Sequence, residues 1–485
     1  MLASRYGNKL IQMIKSLSKR FVVTLMLSAL SGCTALQFAD IFQGYNSQMK
    51  PVKSAQRQGE FIKANDLLGE RATNDGSYVL NLLESGRLAF LAANWQASQK
   101  NFAQAYIELE EQRNKAKIQL SRGIEKLGAT VSNDNAISYQ VPYYEQSMLH
   151  SYQALNYLFQ HDLDGALVEI RRANLVQENA LKAYESEIYN AKNALYKSGI
   201  STDSLANTYP SMVSAIGQVK NGFQNAFTFY LSAILYEASG ELNDAYIDYK
   251  RAIEIYPENT YLQQDILRLA TKLGMSEDVE HFQQRFGKYQ AKQSTGQGQV
   301  VILVEKDIVN SKQDVSLNLP IGRGNKGLKF FSFSLPVYQG DLPQHSKAIV
   351  KSGGQSYQSN EIVRIQSLAA KDLQEQLPAL LTRQVVRVVA KEQMRQKLSR
   401  EAGDVGNILA SIYNIASERA DTRSWSTLPD QVDIVRMQLP SGKQVLPVQI
   451  NGQQQNINLD VQPNRITLIH YSAIGNYTGY QVINL

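Results

Sequence analysis

The stretch YLSAILYEASGELNDAYIDYKRAIEIYP (230–257) constrains the fold of this chain more than any other. Its apolar residues recur every three or four positions, the period of one helix face. The pattern breaks at Gly240, resumes, and stops at Pro257. Glycine accepts the left-handed backbone that ends a helix, and proline cannot continue one. Ala233 and Ala245 are small where two antiparallel helices must meet, and Ala252 leaves room for the next unit. Two weaker copies precede it. SYQALNYLFQHDLDGALVEIRRAN (151–174) sets Ala154, Tyr157, Leu163, Ala166, Ile170 and Ala173 at the same spacing. ESGRLAFLAANWQASQKNFAQAYIEL (84–109) does so with Gly86, Trp95, Ser98, Phe102 and Ala105. A single such hairpin cannot bury its apolar face alone, so three of them predict a packed helical region.

This spacing resembles the tetratricopeptide repeat. The copies are unevenly separated, so a regular superhelix is not expected. The second helices keep their periodicity over 101–126 and 166–197, and loops are expected at 128–142 and 198–212. The resemblance implies that the first helix of each hairpin lines a concave groove. Groove positions would be Leu80, Leu83, Arg87, Phe90 and Leu91, then Met148, Ser151, Leu155, Leu158 and Phe159, then Phe227, Tyr230, Ile234, Glu237 and Ala238. Of these, Leu155, Phe159, Phe227, Tyr230 and Ile234 are the candidate protein-binding residues. Such an apolar groove is filled either by the chain's own long helices or by a partner helix. Both readings stand at the sequence level.

The chain has one cysteine in 485 residues, Cys33. That excludes intramolecular disulfides, cysteine-based zinc sites and a dithiol redox motif. Its surroundings explain it. Lys19-Arg20 precede FVVTLMLSAL, an apolar run of ten, and then SGC. A basic segment, a short apolar segment and small residues make a secretory signal. A run of ten is too short to span a bilayer as a helix, which needs about 20 residues. Leu30-Ser31-Gly32-Cys33 resembles the bacterial lipobox. The resemblance implies cleavage before Cys33, a diacylglycerol thioether on its sulfur, and an acylated new amine. Two or three acyl chains at about 0.8 kcal/mol per buried methylene hold a protein stably. Residue 34 is Thr rather than Asp, which by resemblance to Gram-negative sorting signals implies the outer membrane, facing the periplasm. The n-region is long, and translation from Met13 instead of Met1 would shorten it.

Charge fits this picture. The formal net charge is +6, from 50 basic and 44 acidic residues. Arg5, Lys9, Lys15, Lys19 and Arg20 fall within 1–32, where there is no acid, so the rest is almost neutral. A nucleic-acid partner is therefore not expected. Residues 33–58 have weak periodicity and read as a tether, and 59–287 as the helical domain. The polar segment 288–299 reads as a linker. Over 300–485 the texture becomes β-rich, in QVVILVE, LKFFSFSLPVY, DIVRMQL, QVLPVQI and RITLIHYS, around a helical block at 366–418 interrupted near Pro378 and Gly403. The expected class is α+β multidomain, with tetratricopeptide-like hairpins followed by a mixed α/β domain.

Motifs for chemistry are sparse. GRGNKG (322–327) matches G-x-G-x-x-G, but a dinucleotide site needs a strand before it and a helix after it. LKFFSFSLP after it reads as strand, so it is a loop between strands and no nucleotide is expected. His150, His161, His281, His345 and His470 have no metal-ligand spacing. Glu110-Glu111 and Glu277-Asp278 read as solvated helix faces or first turns. No catalytic residue, metal or cofactor is assigned. One dense stretch remains, ERADTRSWSTLPDQVDIVRMQLPSG (418–442). Arg423 and Trp425 could anchor a partner. The competing reading is a structural corner, with Asp421 paired to Arg423 and Trp425 covering the core edge. YQVPYYEQSMLHSYQALNYL (139–158), rich in tyrosine, admits the same two readings.

Together, the lipobox, the three hairpins and ERADTRSWSTLP resemble a family of uncharacterised Gram-negative outer-membrane lipoproteins with tetratricopeptide-like repeats. The resemblance implies a palmitate-bearing, non-enzymatic scaffold whose partners are the membrane, through its lipid, and envelope proteins not yet identified. A regulator of a cell-wall synthesising enzyme is the alternative, and a hydrolase site in the C-terminal region a third.

Overall fold

The computed structural model describes residues 44–121, 137–197, 200, 205, 208–288, 296–322, 328–388, 390 and 419–485. The signal segment 1–32, Cys33 and Gly403 lie outside them. The chain divides into two compact units, Met1–Gln48 and Met49–Leu485. Of the first, only Gly44–Gln48 are described, and they open helix α1 (Tyr45–Arg57). All that follows concerns the second unit.

Part of the expected tether is this helix. Weak periodicity and Pro51 hide it in the sequence. Its hold is tertiary: Met49, Val52 and Ala55 are buried, and the Lys53 ammonium donates to the Val309 carbonyl at 2.6 Å. The Gln56 amide donates to the Thr427 carbonyl at 3.0 Å. Helix α2 (Phe61–Leu68) leads into three hairpins: α3 (Tyr78–Leu91) with α4 (Trp95–Ser121), α5 (Tyr143–Phe159) with α6 (Leu163–Lys197), and α8 (Ala226–Ser239) with α9 (Leu242–Ile255). A short α7 (Val213–Ile216) precedes the third, and α10 (Thr260–Lys272) and α11 (Ser276–Phe286) follow it.

Local chemistry fixes these hairpins. The Asn225 side chain caps α8 by accepting from the Phe227 and Thr228 amides. Gly240 ends that helix at φ 86°, in the left-handed region. At Gly86 a Cβ would lie 2.7 Å from the Phe102 ring, so α3 and α4 are in direct backbone-to-ring contact. The alanines meant for close helix contact, Ala166, Ala173, Ala245 and Ala252, are fully buried.

Eleven strands follow among the described residues: β1 (Gln297–Lys306), β2 (Gln313–Gly322), β3 (Leu328–Val337), β4 (Ile349–Ser352), β5 (Gln355–Gln358), β6 (Asn360–Arg364), β7 (Gln431–Pro440), β8 (Gly442–Ile450), β9 (Gln453–Val461), β10 (Ile466–Ile474) and β11 (Tyr477–Asn484). They form a five-stranded sheet ordered β11-β10-β1-β7-β6, a four-stranded sheet ordered β5-β4-β8-β9, and the β2-β3 hairpin. Among the described strands, β1 and β10 alone pair in parallel, Gln299 opposite Ile466 through Lys306 opposite Ala473. Every residue of β10 is buried, as expected of a strand covered on both faces. One covering layer is the four-stranded sheet, through a core of Val300, Ile302, Val448, Ile457 and Ile469 among others. The other is the helical region.

Three sequence expectations change here. Gln297–Gln299, the end of the expected linker, belong to β1, and 289–295 lie outside the described residues. No separation of helical and α/β bodies follows, because Met49–Leu485 is one compact unit. The helical block begins at 365, and helix α12 (365–388) runs unbroken through Pro378. Proline there removes one donor, which would have faced the carbonyl of exposed Gln374. Strands β2 and β3 flank the glycine-rich stretch as an antiparallel pair with Gly322 opposite Leu328, and no helix follows.

Candidate functional site

The concave face of the hairpins is occupied by the chain itself. Leu80, Leu83, Met148, Ser151, Leu155, Phe227, Tyr230 and Ile234 have no exposed surface. What fills the groove is the five-stranded sheet, an occupant other than the two the sequence left open, the chain's own long helices and a partner helix. Arg87 on α3 pairs with Glu305 on β1, both completely buried. The Tyr152 hydroxyl on α5 donates to the same carboxylate at 2.7 Å. Phe90 meets the His470 ring of β10 edge-on at 5.1 Å. On the third hairpin, Glu237 pairs with Arg436 of β7 at 3.0 Å and with Arg268 of α10 at 2.6 Å. Arg436 also meets Asp265 at 3.2 Å, and Tyr230 donates to that carboxylate. Burial alone would raise Glu237 and Glu305, but their arginine partners hold both carboxyls well below the usual range.

Phe227, Tyr230, Ile234 and Leu155 are therefore fully buried and closed to a partner. Phe159 is half-buried and stacks on Trp95 at 4.7 Å. A sheet could not be foreseen as the occupant because β1, β7 and β10 place apolar residues on both faces, and their few polar residues, Glu305, Arg436 and His470, read in sequence as solvent-facing rather than as the side that meets the hairpins.

Arg423 and Trp425 lie in a segment, 420–431, that threads between helices and sheet almost wholly buried. Arg423 is held bidentately by Asp421, at 2.9 and 2.7 Å, and donates to the Gly76 carbonyl at 3.0 Å. Trp425, 1% exposed, packs against Phe102 and Tyr152. Two carboxylates on the hairpins hold the segment's backbone. Glu145 accepts from the Trp425 amide at 3.0 Å. Glu84 accepts from the amides and hydroxyls of Ser426 and Thr427 at 2.5–2.9 Å. The corner reading of this stretch describes the geometry, and the surface-anchor reading of Trp425 does not.

A cleft of about 520 Å³ opens beside this corner. Tyr139, Lys312, Asp372, Arg387 and Arg423 line it. Glu145 lies beneath, receiving the Tyr139 and Tyr144 hydroxyls at 2.8–3.0 Å. Burial pushes its carboxyl up to about 7, against the opposing pull of those donors and Lys312. Asp372 is pushed to about 7 as well, first by burial and then by the Glu145 and Glu375 charges, against Lys312 and Gln376. Lys312 acts on both carboxyls through its charge, while its ammonium donates to the Arg423 carbonyl at 2.9 Å. No serine–histidine or cysteine–histidine pair occurs among the described lining residues. Sequence reasoning had placed Glu145 within the tyrosine-rich stretch but gave it no role. Its signal, an acid amid aromatics at a helix start, also suits a solvated first turn.

Elsewhere, the histidines are dispersed: His150 meets Glu169 at 2.7 Å, His345 meets Asp430 at 2.6 Å, and His470 lies 3.1 Å from Glu305. No group of three potential metal ligands exists among the described residues, and no described helix is long and apolar enough to cross a membrane.

No family model matches the chain, and no curated protein matches it. Two similar solved structures are a crystal structure of MamA and MamA from residue 41 to its end from Desulfovibrio magneticus RS-1. Each is 12% identical and covers 49% of this chain, with 93% and 90% of the respective MamA chains covered. The TM-scores are 0.27 and 0.26, a likeness that settles neither fold nor function.

Proposed function

We propose that this protein is a non-enzymatic lipoprotein, held at the outer membrane by acyl chains on Cys33 and facing the periplasm, that works by engaging envelope proteins. The carrying observation is the placement of the only cysteine at the end of Leu30-Ser31-Gly32-Cys33, directly behind a basic and then apolar run. Lipid attachment needs a thiol at that point and nowhere else. The hairpin architecture supports the second half of the reading. With the concave face taken by the sheet, recognition falls to the outer faces of the second helices. Ile107 of α4, Val168 and Leu175 of α6 and Ile247 of α9 are about half exposed there.

The test is palmitate labelling and membrane fractionation of the wild type beside Cys33→Ser. Labelling that needs Cys33, with wild type in the outer-membrane fraction, is the expected result. A photo-crosslinker placed at Leu175 should then trap a discrete envelope protein, and one at buried Leu155 should not. Unchanged labelling and fractionation in Cys33→Ser would overturn the anchor. A crosslink pattern identical at both positions would overturn recognition by the outer face.

A further inference from the structure

A second cavity, of about 350 Å³, lies where the third hairpin meets the sheet. Its walls are the loop 217–221, the end of α9 with Pro257 and Glu258, strand β6, and the first turn of α12. That volume suits a small molecule, since such sites start near about 300 Å³. Val219, Leu342, Ile362 and Leu368 supply an apolar wall.

Both signs of charge line it. Arg364 is committed elsewhere, to Asp430 at 2.9 Å and Gln431 at 2.8 Å. Lys220 is exposed at the rim and has no ion-pair partner among the described residues. On the acidic side, Glu361 accepts the Tyr256 hydroxyl at 2.6 Å through one oxygen. Its other oxygen is 3.8 Å from Arg364, too far for a hydrogen bond. Burial raises the Glu361 carboxyl, against the pull of Tyr256 and Arg364. A cation beside it would offset that desolvation.

Ser367 supplies an independent sign. It is 2% exposed and lines the cavity, its hydroxyl 3.9 Å from where a Cβ on Gly217 would sit. That hydroxyl is not among the sealed side-chain atoms left without a partner, so it is open to a ligand from the cavity side. It stands in the first turn of α12, the helix end that favours negative charge.

We infer that this cavity binds a zwitterion of dipeptide size, with its carboxylate on Lys220 and Ser367 and its ammonium on Glu361. A ligand of one sign would leave the opposite wall facing like charge. The site is separate from lipid attachment and from the outer-face surface, so it stands or falls independently of both.

The test is calorimetry on the detergent-solubilised full chain with dialanine, N-acetyl-dialanine and dialanine amide. Dialanine should bind, and each blocked form should bind at least tenfold more weakly. Glu361→Gln should abolish the discrimination against N-acetyl-dialanine. Exposed Lys220→Gln, which leaves the fold untouched, should abolish the discrimination against the amide. Ser367→Ala should weaken dialanine and N-acetyl-dialanine while leaving the amide unchanged. Absence of heat with dialanine on folded wild type, or equal binding of all three probes, would overturn the assignment.

Discussion

Removing Arg87 should detach the first hairpin from the sheet. Its guanidinium is completely buried, faces the Tyr152 ring at 4.4 Å, and pairs with Glu305, itself completely buried. Two of its nitrogens, Nε and Nη1, have no hydrogen-bond partner among the described residues. The pair is thus incompletely satisfied, and its value lies in not leaving Glu305 alone. Breaking a buried pair from one side costs about 3–5 kcal/mol. Arg87→Met should therefore lower stability by about that amount at pH 7. Glu305→Gln should cost a similar amount, because it leaves the buried Arg87 guanidinium without a counter-charge, and its single amide oxygen can keep the Tyr152 or the Ser472 donor but not both, which reach different carboxylate oxygens. Combining the two should cost less than their sum, with a coupling of about 2 kcal/mol. The sign with pH follows from the depressed Glu305 carboxyl. Its contribution is present above the unfolded carboxylate value, about 4.3, and is lost as pH falls towards the folded value. The penalty of Glu305→Gln should accordingly hold from pH 8 to pH 5 and shrink in stronger acid. Urea unfolding, followed by the fluorescence of Trp425 in the adjoining aromatic cluster, measures all three variants. A coupling below about 0.5 kcal/mol, the error of additivity, would refute the claim that this pair joins hairpin to sheet.

Other substitutions probe the corner and the hairpins. Glu145→Gln should flatten the pH dependence of stability. The folded carboxyl sits at about 7, so the wild type loses stability as pH rises from about 4.3 through that value, by up to about 3 kcal/mol. Urea midpoints at pH 5 and pH 8 give the difference directly, and an equal slope in the variant would refute the assignment. Gly86→Ala pushes a methyl to 2.7 Å from Phe102 and should cost about 1–3 kcal/mol by thermal unfolding. Trp425→Ala empties a fully buried site and should cost about 3–5 kcal/mol in the same assay.

The hairpins were legible because their determinants are local. Gly240, Pro257 and the alanine spacing act within one turn of their neighbours, and the structure uses them where the pattern puts them. The extension of α6 to Lys197 was equally legible, since periodicity alone carries it. Helix α1 was not, because its stability comes from Val309 and Thr427, more than 250 positions away. The same distance hid the polar keystones. Glu84, Glu145, Glu305 and Arg436 look in sequence like surface charges on helices and strands. Only the pairing of a helix face with a strand, or with the buried segment 420–431, 150 or more positions later buries them. The β-rich half could be read as strands but not as a sheet order, since apolar runs such as QVVILVE have no polar face to fix a side.

A filled groove changes what a loss-of-binding experiment can mean. Ala245 has no exposed surface and sits where α8 meets α9. Ala245→Arg would force a guanidinium into that contact and unfold the third hairpin, so lost binding would report lost structure. The same holds for Phe227, Tyr230, Ile234 and Leu155. A substitution that separates recognition from folding has to fall on a side chain already in water. Leu175→Glu meets that condition: the residue is 53% exposed, and the buried neighbours Asn174 and Val176 face the other way. A surface substitution of this kind changes stability by no more than about 0.5 kcal/mol. Leu175→Glu should therefore keep the wild-type unfolding midpoint and lose the crosslink formed by a photo-crosslinker at Val168 on the outer face of the same helix. A variant that keeps both would remove that face from the recognition surface, and the hairpins would then serve to hold the sheet alone.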